Sequence, residues 1–388
     1  MNKLNIVLII FSLSILLAKI SADPLLTGHT LILSYLLLFL YIILFVFMFL
    51  LVLFLLRLAV NASKFSHKAF LFLIAFTIAC LFITFIAFQP DDEMFLSYFA
   101  YSSLTHGANP YTVNYLQPLL SNLSDAGSYG TIMSNGTIVS TYNYPVLYML
   151  LQAPFFAIAG SPQALGYIAM PLEYMAFFGF FLFVYYFVLK EKKGEFPVYS
   201  AVILASIAFI VFSSTIILVM LALMLVMYTR WGQKPANAGI ALGLMASLQT
   251  QLWPFVIIFM LYKFRNEDRW KWWNIVLVAG GVFLIINGVF ILANYHTFFG
   301  NLISAGSLLP DWIAPIGSII VILGLPSIIA EAGFLLSTLY MGWISGREEP
   351  KWIMLMSSIP FLFLTHALPI YFVLGFAGYA LVQDGNYG

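Results

Sequence analysis

Apolar runs, most of them closed by a short basic cluster, fill this chain from end to end. A spanning helix takes roughly 20 apolar residues, and that length divides the runs. Residues 4–20 cross outward, with a signal peptide cleaved after residue 22 as the alternative reading. Residues 30–56 return, and residues 69–88 cross outward again. A polar stretch rich in Ser, Asn and Gly follows, up to residue 143. Residues 144–160 are apolar, but the run is short, opens on Pro145 and carries Pro154 in its middle. If it crossed, the next span (164–189) would leave Lys190, Lys192 and Lys193 on the outer side, against the rule that basic residues stay inside. Parity therefore predicts a juxtamembrane helix lying in or dipping into the outer interface.

Beyond it, residues 196–228 and 235–262 each begin and end at basic clusters, so each crosses twice or not at all. Both are short for two full spans, which predicts short tilted helices or hairpins. Residues 273–294 cross outward, a second outer loop holding Asp311 runs through 296–315, and residues 316–344 return with a break at Pro326. Residues 352–382 carry Pro360, His366 and Pro369 and are expected to turn near His366. The expected fold is all-α: a polytopic integral membrane protein of roughly 10–12 transmembrane helices. It forms a single integral membrane domain over 1–388, with a long first extracytoplasmic loop (90–162) carrying juxtamembrane helices.

Composition agrees. With 63% hydrophobic and 8% charged residues and a mean hydropathy of +1.00, the chain departs far from a soluble domain, which is about half apolar and about a quarter charged. The net charge of +1 is silent about nucleic acid, and no nucleic-acid partner is expected. Position is what informs: 15 of the 16 Lys and Arg gather at Lys3, 57–68, 190–193, 230–234, 263–271 and 347–351, which marks those clusters as cytoplasmic. Lys19 is left over near the far end of the first span, where its stem can snorkel. The expected location is the plasma membrane, with the chemistry on the extracytoplasmic side. The one cysteine, Cys80, excludes an intrachain disulfide. Asn122 and Asn135 open glycosylation-acceptor triplets in the outer loop, a pattern frequent by chance.

No Lys or Arg occurs between Lys68 and Lys190, and within that gap stands Asp91-Asp92-Glu93. Carboxylates at a helix mouth can hold a divalent cation, act as a general base, or simply favour a helix N-terminus. Three in a row repel one another, which raises at least one pKa and primes it for proton transfer. Phe95, Tyr98, Phe99 and Tyr101 follow, then Gly107-Ala108-Asn109-Pro110-Tyr111, then Tyr144-Pro145-Val146-Leu147. Outer tyrosines such as Tyr98, Tyr111 and Tyr144 suit sugar stacking, and an interfacial aromatic belt would use them equally well.

Together these segments resemble the first external loop of the glycosyltransferase C superfamily, in particular its polyprenyl-phosphate-mannose-dependent mannosyltransferases. In that pattern an acidic residue or pair precedes an aromatic helix, G-x-N-P-Y and Y-P-P-L. Glu93 falls at the acidic position with Asp92 before it, and Val146 replaces the second proline. Gly239 to Gly243, Gln249, Gln251, Pro254 and the basic 263–271 stretch resemble a glycine-spaced helix leading to a Lys-x-x-P segment, with Gln249 in place of lysine. Ser357, Pro360, His366 and Pro369 resemble a late S-P…H…P motif.

The resemblance implies transfer of a sugar, mannose first among candidates, from a polyprenyl-phosphate donor to a glycolipid or glycan acceptor, with inversion at the sugar carbon. Asp91, Asp92 and Glu93 become the catalytic acids. Tyr98, His106, Asn109, Tyr111, Tyr144, Gln249, Gln251 and His366 become the expected substrate contacts. A leaving phosphate is normally met by cations, and the outer side has almost none. The substitutes are His106, His296 and His366, the amides of Gln249 and Gln251, or a divalent cation (Mg or Mn) on Asp91, Asp92 and Glu93. His366 with Gln249 is the preferred pair. Glu173 and Glu331 stand inside expected spans, where a carboxylate suggests function or a bond between helices. They would serve as relay residues in the alternative readings of a transporter or a lipid-linked sugar flippase; a non-catalytic membrane subunit is the third class.

Overall fold

The computed structural model describes residues 51, 54–84, 90, 92–123, 131, 138–191, 216–303, 315–346, 352–364 and 369–382. The expected span at 4–20, most of that at 30–56, Asp91, Asp311 and His366 lie outside the described residues.

Helix α1 (Phe65–Thr84) is the apolar run ahead of the acidic residues. Helix α2 (Asp92–Thr105) places Asp92 and Glu93 in its first turn, where carboxylates meet the positive end of the helix dipole. It ends at Gly107, whose φ of +80° suits glycine because no Cβ opposes it. Helix α3 (Leu116–Asn122) follows within the same loop.

Helix α4 (Val146–Ala159) begins directly after Pro145 and stops at Gly160 with φ +69°, the left-handed cap common at helix ends. It coincides with the expected juxtamembrane helix. A π-helical turn at Leu165–Ala169 leads into α5 (Met170–Glu191).

Helices α6 (Ile217–Val226), α7 (Pro235–Leu248) and α8 (Trp253–Asn266) are short. Fourteen residues rise about 21 Å, less than the roughly 30 Å hydrocarbon core. That agrees with the short helices expected over 235–262, while residues 196–215 of the other segment lie outside the described residues. The break between α7 and α8 falls at Gln249, where the backbone is extended (φ −156°, ψ 139°).

Helix α9 (Arg269–Ile303) is 35 residues long, with an extended residue at Asn294 (φ −165°, ψ 86°). The expected second outer loop thus opens as helix. Helices α10 (Pro315–Ile322) and α11 (Ser327–Ser345) are separated at Gly324 and Pro326, as the proline suggested. Helices α12 (Trp352–Met356) and α13 (Pro369–Val382) close the chain, with a 3-10 turn at Ile359–Phe363 between them.

Among the described residues, three helices are long and apolar enough to cross a membrane: Pro162–Val188, α9 and Ile328–Ser345. The fold is helical throughout what is described, with Asn114 and Thr141 forming an isolated antiparallel bridge inside the loop. The most extensive helix contact among the described residues is α7 on α9. A Cβ at Gly239 would lie 2.7 Å from the Val278 side chain, and one at Gly243 would lie 2.7 Å from the Ala279 carbonyl. Small residues four apart let the two backbones approach. Helix α5 packs between α1 and α6, α8 packs against α11, and α13 against α12 and α6.

Candidate functional site

Helices α2 and α4 pack together and bring the acidic residues to the tyrosines. Asp92 is buried, and its Oδ2 accepts a hydrogen bond from the Thr131 backbone N–H at 2.6 Å. Burial pushes its carboxyl above the ordinary aspartate range, against the opposing pull of the Thr131 bonds. Glu93 is only half-buried, and its Oε2 accepts from the Tyr148 hydroxyl at 3.1 Å. One acid therefore pins the loop while its neighbour stays reachable.

Tyr148 stacks on Tyr144 with ring centroids 4.6 Å apart and planes 17° from parallel. Tyr144 lies just ahead of α4 and Tyr148 in its first turn, so the chain entering the helix folds one ring over the other. Burial holds the Tyr144 phenol well above its usual range, and the nearby Glu93 carboxylate adds to that. Tyr144 is thus a neutral hydroxyl beside a carboxylate.

The start of α4 is locked to the end of α7 through α9. Asn287 Oδ1 accepts from the Val146 N–H at 3.0 Å, and Asn287 Nδ2 donates to Ser247 Oγ at 3.0 Å. Two residues beyond Ser247 comes Gln249. Its Oε1 is buried and accepts no hydrogen bond, and the same is true of Gln251 Oε1 and Asn143 Oδ1. Gln251 Nε2 donates to the Tyr371 hydroxyl at 3.0 Å, and Tyr371 lies close enough to Tyr144 to act on it electrostatically. An unsatisfied buried polar atom costs about 1–3 kcal/mol, and such groups call for an explanation such as a ligand. Among the described residues, the Gln249, Gln251 and Asn143 amide oxygens are thus buried acceptors without a protein donor, and Gln251 is joined to the tyrosine pair through Tyr371.

The expected residues divide. Asp92, Glu93, Tyr144 and, through Tyr371, Gln251 belong to this neighbourhood, and Gln249 stands at the break between α7 and α8. Asn109 and Tyr111 build its frame: Asn109 Oδ1 accepts from the Tyr111 N–H at 3.1 Å to cap the 3-10 turn at Pro110–Thr112. The buried Tyr111 hydroxyl donates to the Tyr144 carbonyl at 2.7 Å. Asn301 then donates to the carbonyls of both Tyr111 and Tyr142, fastening the loop to α9. Tyr98 is half-buried with its ring edge on Phe156. His106 is exposed beyond the far end of α2, its Nδ1 2.7 Å from the Ser102 carbonyl oxygen. That is about 21 Å of helix from Asp92, so it does not join the acids.

Tyr148, Asn143, Tyr371, Asn287 and Asn301 are participants the sequence reading missed. Among the described residues no three His, Cys, Asp or Glu side chains gather in a way that could hold a metal. The carboxylates of Asp92 and Glu93 engage different partners, Thr131 and Tyr148.

Glu173 on α5 is fully buried and accepts from Gln152 Nε2 at 2.7 Å. Glu331 is half-buried near the start of α11.

Compared with protein-family models, with curated proteins and with solved structures, the chain matches none of them.

Proposed function

We propose that this protein is a membrane glycosyltransferase that moves a sugar, mannose foremost, from a polyprenyl-phosphate donor to an acceptor hydroxyl on the extracytoplasmic face of the plasma membrane. The observation that carries the reading is the half-buried Glu93 carboxylate, held by Tyr148 and flanked by the Tyr144–Tyr148 stack. Glu93 takes the proton of the acceptor hydroxyl as its oxygen attacks the anomeric carbon. The bond from that carbon to the phosphate oxygen breaks, and polyprenyl phosphate leaves with inversion at the sugar. Asp92, pinned by Thr131, holds the loop and the first turn of α2 in register rather than taking the proton. The unpaired amide oxygens of Gln249 and Gln251 accept hydrogen bonds from sugar hydroxyls, in a part of the chain without Lys or Arg. Helices too short to cross singly leave apolar surface for a prenyl chain. No step in this scheme passes through a metal.

The experiment is transfer of radiolabelled mannose from polyprenyl-phosphate-mannose in membranes carrying the full chain. Glu93→Gln is expected to lower turnover by about 100-fold or more, the scale of a lost general base, with the protein still present in the membrane. Undiminished transfer by that variant would end the reading. The buried Gln152–Glu173 pair is the observation that favours a transporter instead, in which Glu173 and not Glu93 would be the residue that activity requires.

A further inference from the structure

At the opposite end of α7 from Gln249 lies a cleft of about 390 Å³ between α6, α7, α8 and the start of α9. We propose that it binds the phosphate of an anionic phospholipid headgroup in the leaflet where the basic residues gather. This site is separate from the glycosyl-transfer reading and does not depend on it.

Three independent features support it. The amines of Lys263 and Lys271 line the cleft, bridged by Glu267 at 3.0 and 3.5 Å. Their side chains are 13% and 50% exposed, so one amine is sheltered and the other open to an arriving anion. Pro235 also lines the cleft, and it is the first residue of α7, a 14-residue helix with no side-chain cap and no acidic residue in its first turn. Pro235 itself carries no N–H, so the donors that such a turn offers to phosphate are those of Ala236 and Asn237.

The aromatic residues point to the source of the phosphate. Tyr228 and Tyr262 form walls of the cleft, and Trp231, Trp270 and Trp273, all exposed, lie within a few residues of its lining in the chain. Tryptophan and tyrosine gather at the level of lipid headgroups. Basic pockets between membrane helices on the basic side take phosphate-bearing headgroups. Glu267, with Asp268 at 3.4 Å from the Lys271 amine, supplies the resident counter-charge that a lipid phosphate displaces from the two amines.

The test is native mass spectrometry of the full chain in detergent, titrated with phosphatidylglycerol and, in parallel, with phosphatidylcholine and inorganic phosphate. The expected result is tighter binding of phosphatidylglycerol than of phosphatidylcholine, with weak competition by inorganic phosphate. Lys263→Gln with Lys271→Gln should weaken it about tenfold or more, the scale of two lost phosphate contacts. Two milder variants keep the result independent of folding. Gln233→Glu adds a negative charge to the cleft at an exposed position and should also weaken binding, whereas Glu267→Gln removes the competing carboxylate and should strengthen it. Phosphatidylglycerol affinity that is unchanged by Gln233→Glu and by Glu267→Gln overturns the site. Equal binding of phosphatidylcholine overturns the charge argument, and inorganic phosphate competing as well as the lipid overturns the lipid assignment.

Discussion

The Tyr148 hydroxyl donates to Glu93 Oε2 at 3.1 Å, joining residues 55 positions apart in the chain. A hydrogen bond to a charged group is worth about 1.5–3 kcal/mol, so Tyr148 positions and stabilises the carboxylate without touching the reacting atoms. Tyr148→Phe is expected to lower the rate of sugar transfer by roughly 10-fold or more while leaving donor KM near its wild-type value. The ring remains to stack on Tyr144, so thermal stability should change little. An equal fall in stability and activity would show that the hydroxyl serves folding alone.

Burial dominates at Asp92 and raises its carboxyl above the ordinary value of 3.8. An acid whose folded-state pKa exceeds its unfolded value binds more protons when folded, so its contribution to stability declines as pH rises from about 4 through the raised value and then levels off. Asp92→Asn keeps an oxygen to accept from Thr131 and removes that dependence. The variant should melt at a higher temperature than the wild type at pH 7, and the difference should shrink as the buffer is taken toward pH 4. A variant that melts lower at pH 7 would mean that the ionised carboxylate, held by Thr131, stabilises the loop.

Helix α7 meets α9 at Gly239 and Gly243, where a Cβ would press against Val278 and the Ala279 carbonyl. Gly243→Val is expected to cost about 1–3 kcal/mol through overpacking, read as a lower melting temperature in detergent. Gly280 on α9 has nothing within 4 Å of its Cβ position among the described residues. Gly280→Ala should therefore be neutral or slightly stabilising, since alanine favours helix by about 1 kcal/mol. If both substitutions behaved alike, close approach at Gly243 would not be the reason for glycine there.

The spacing of Gly239 and Gly243 was visible in the sequence as a glycine-spaced helix, but the helix it meets was not, because the partner α9 follows only after another helix. The helix at 146–159 was legible too, as an apolar run with Pro145 setting its start. Glu93 to Tyr148 was not, because the contact depends on how the whole loop folds back onto α4. A signal existed even so: Pro145 marks a helix start, which puts Tyr148 in the first turn directly after Tyr144. Asn109 misled for a local reason. Asn followed by Pro at a helix start is a capping arrangement, and its side chain is consumed there rather than offered to a ligand. His106 misled because it follows the acids by 13 residues and more, which along a helix is distance rather than proximity.

Gln152 on α4 and Glu173 on α5 form the buried polar link between those two helices, with Nε2 to Oε1 at 2.7 Å. A polar group left without its partner in an apolar interior costs about 1–3 kcal/mol, whereas removing both partners together is nearly neutral. Glu173→Leu should therefore destabilise by about that amount, since the Gln152 amide would lose its acceptor. Combining it with Gln152→Leu should recover most of the loss, and Glu173→Gln, which keeps an acceptor oxygen, should cost less than Glu173→Leu. Thermal melts of the four proteins give the coupling energy directly. The same set separates the two functional classes. A helix link predicts that Glu173→Gln transfers sugar at close to the wild-type rate, while a proton relay requires an ionisable group at 173 and would fail with glutamine however well the variant folded.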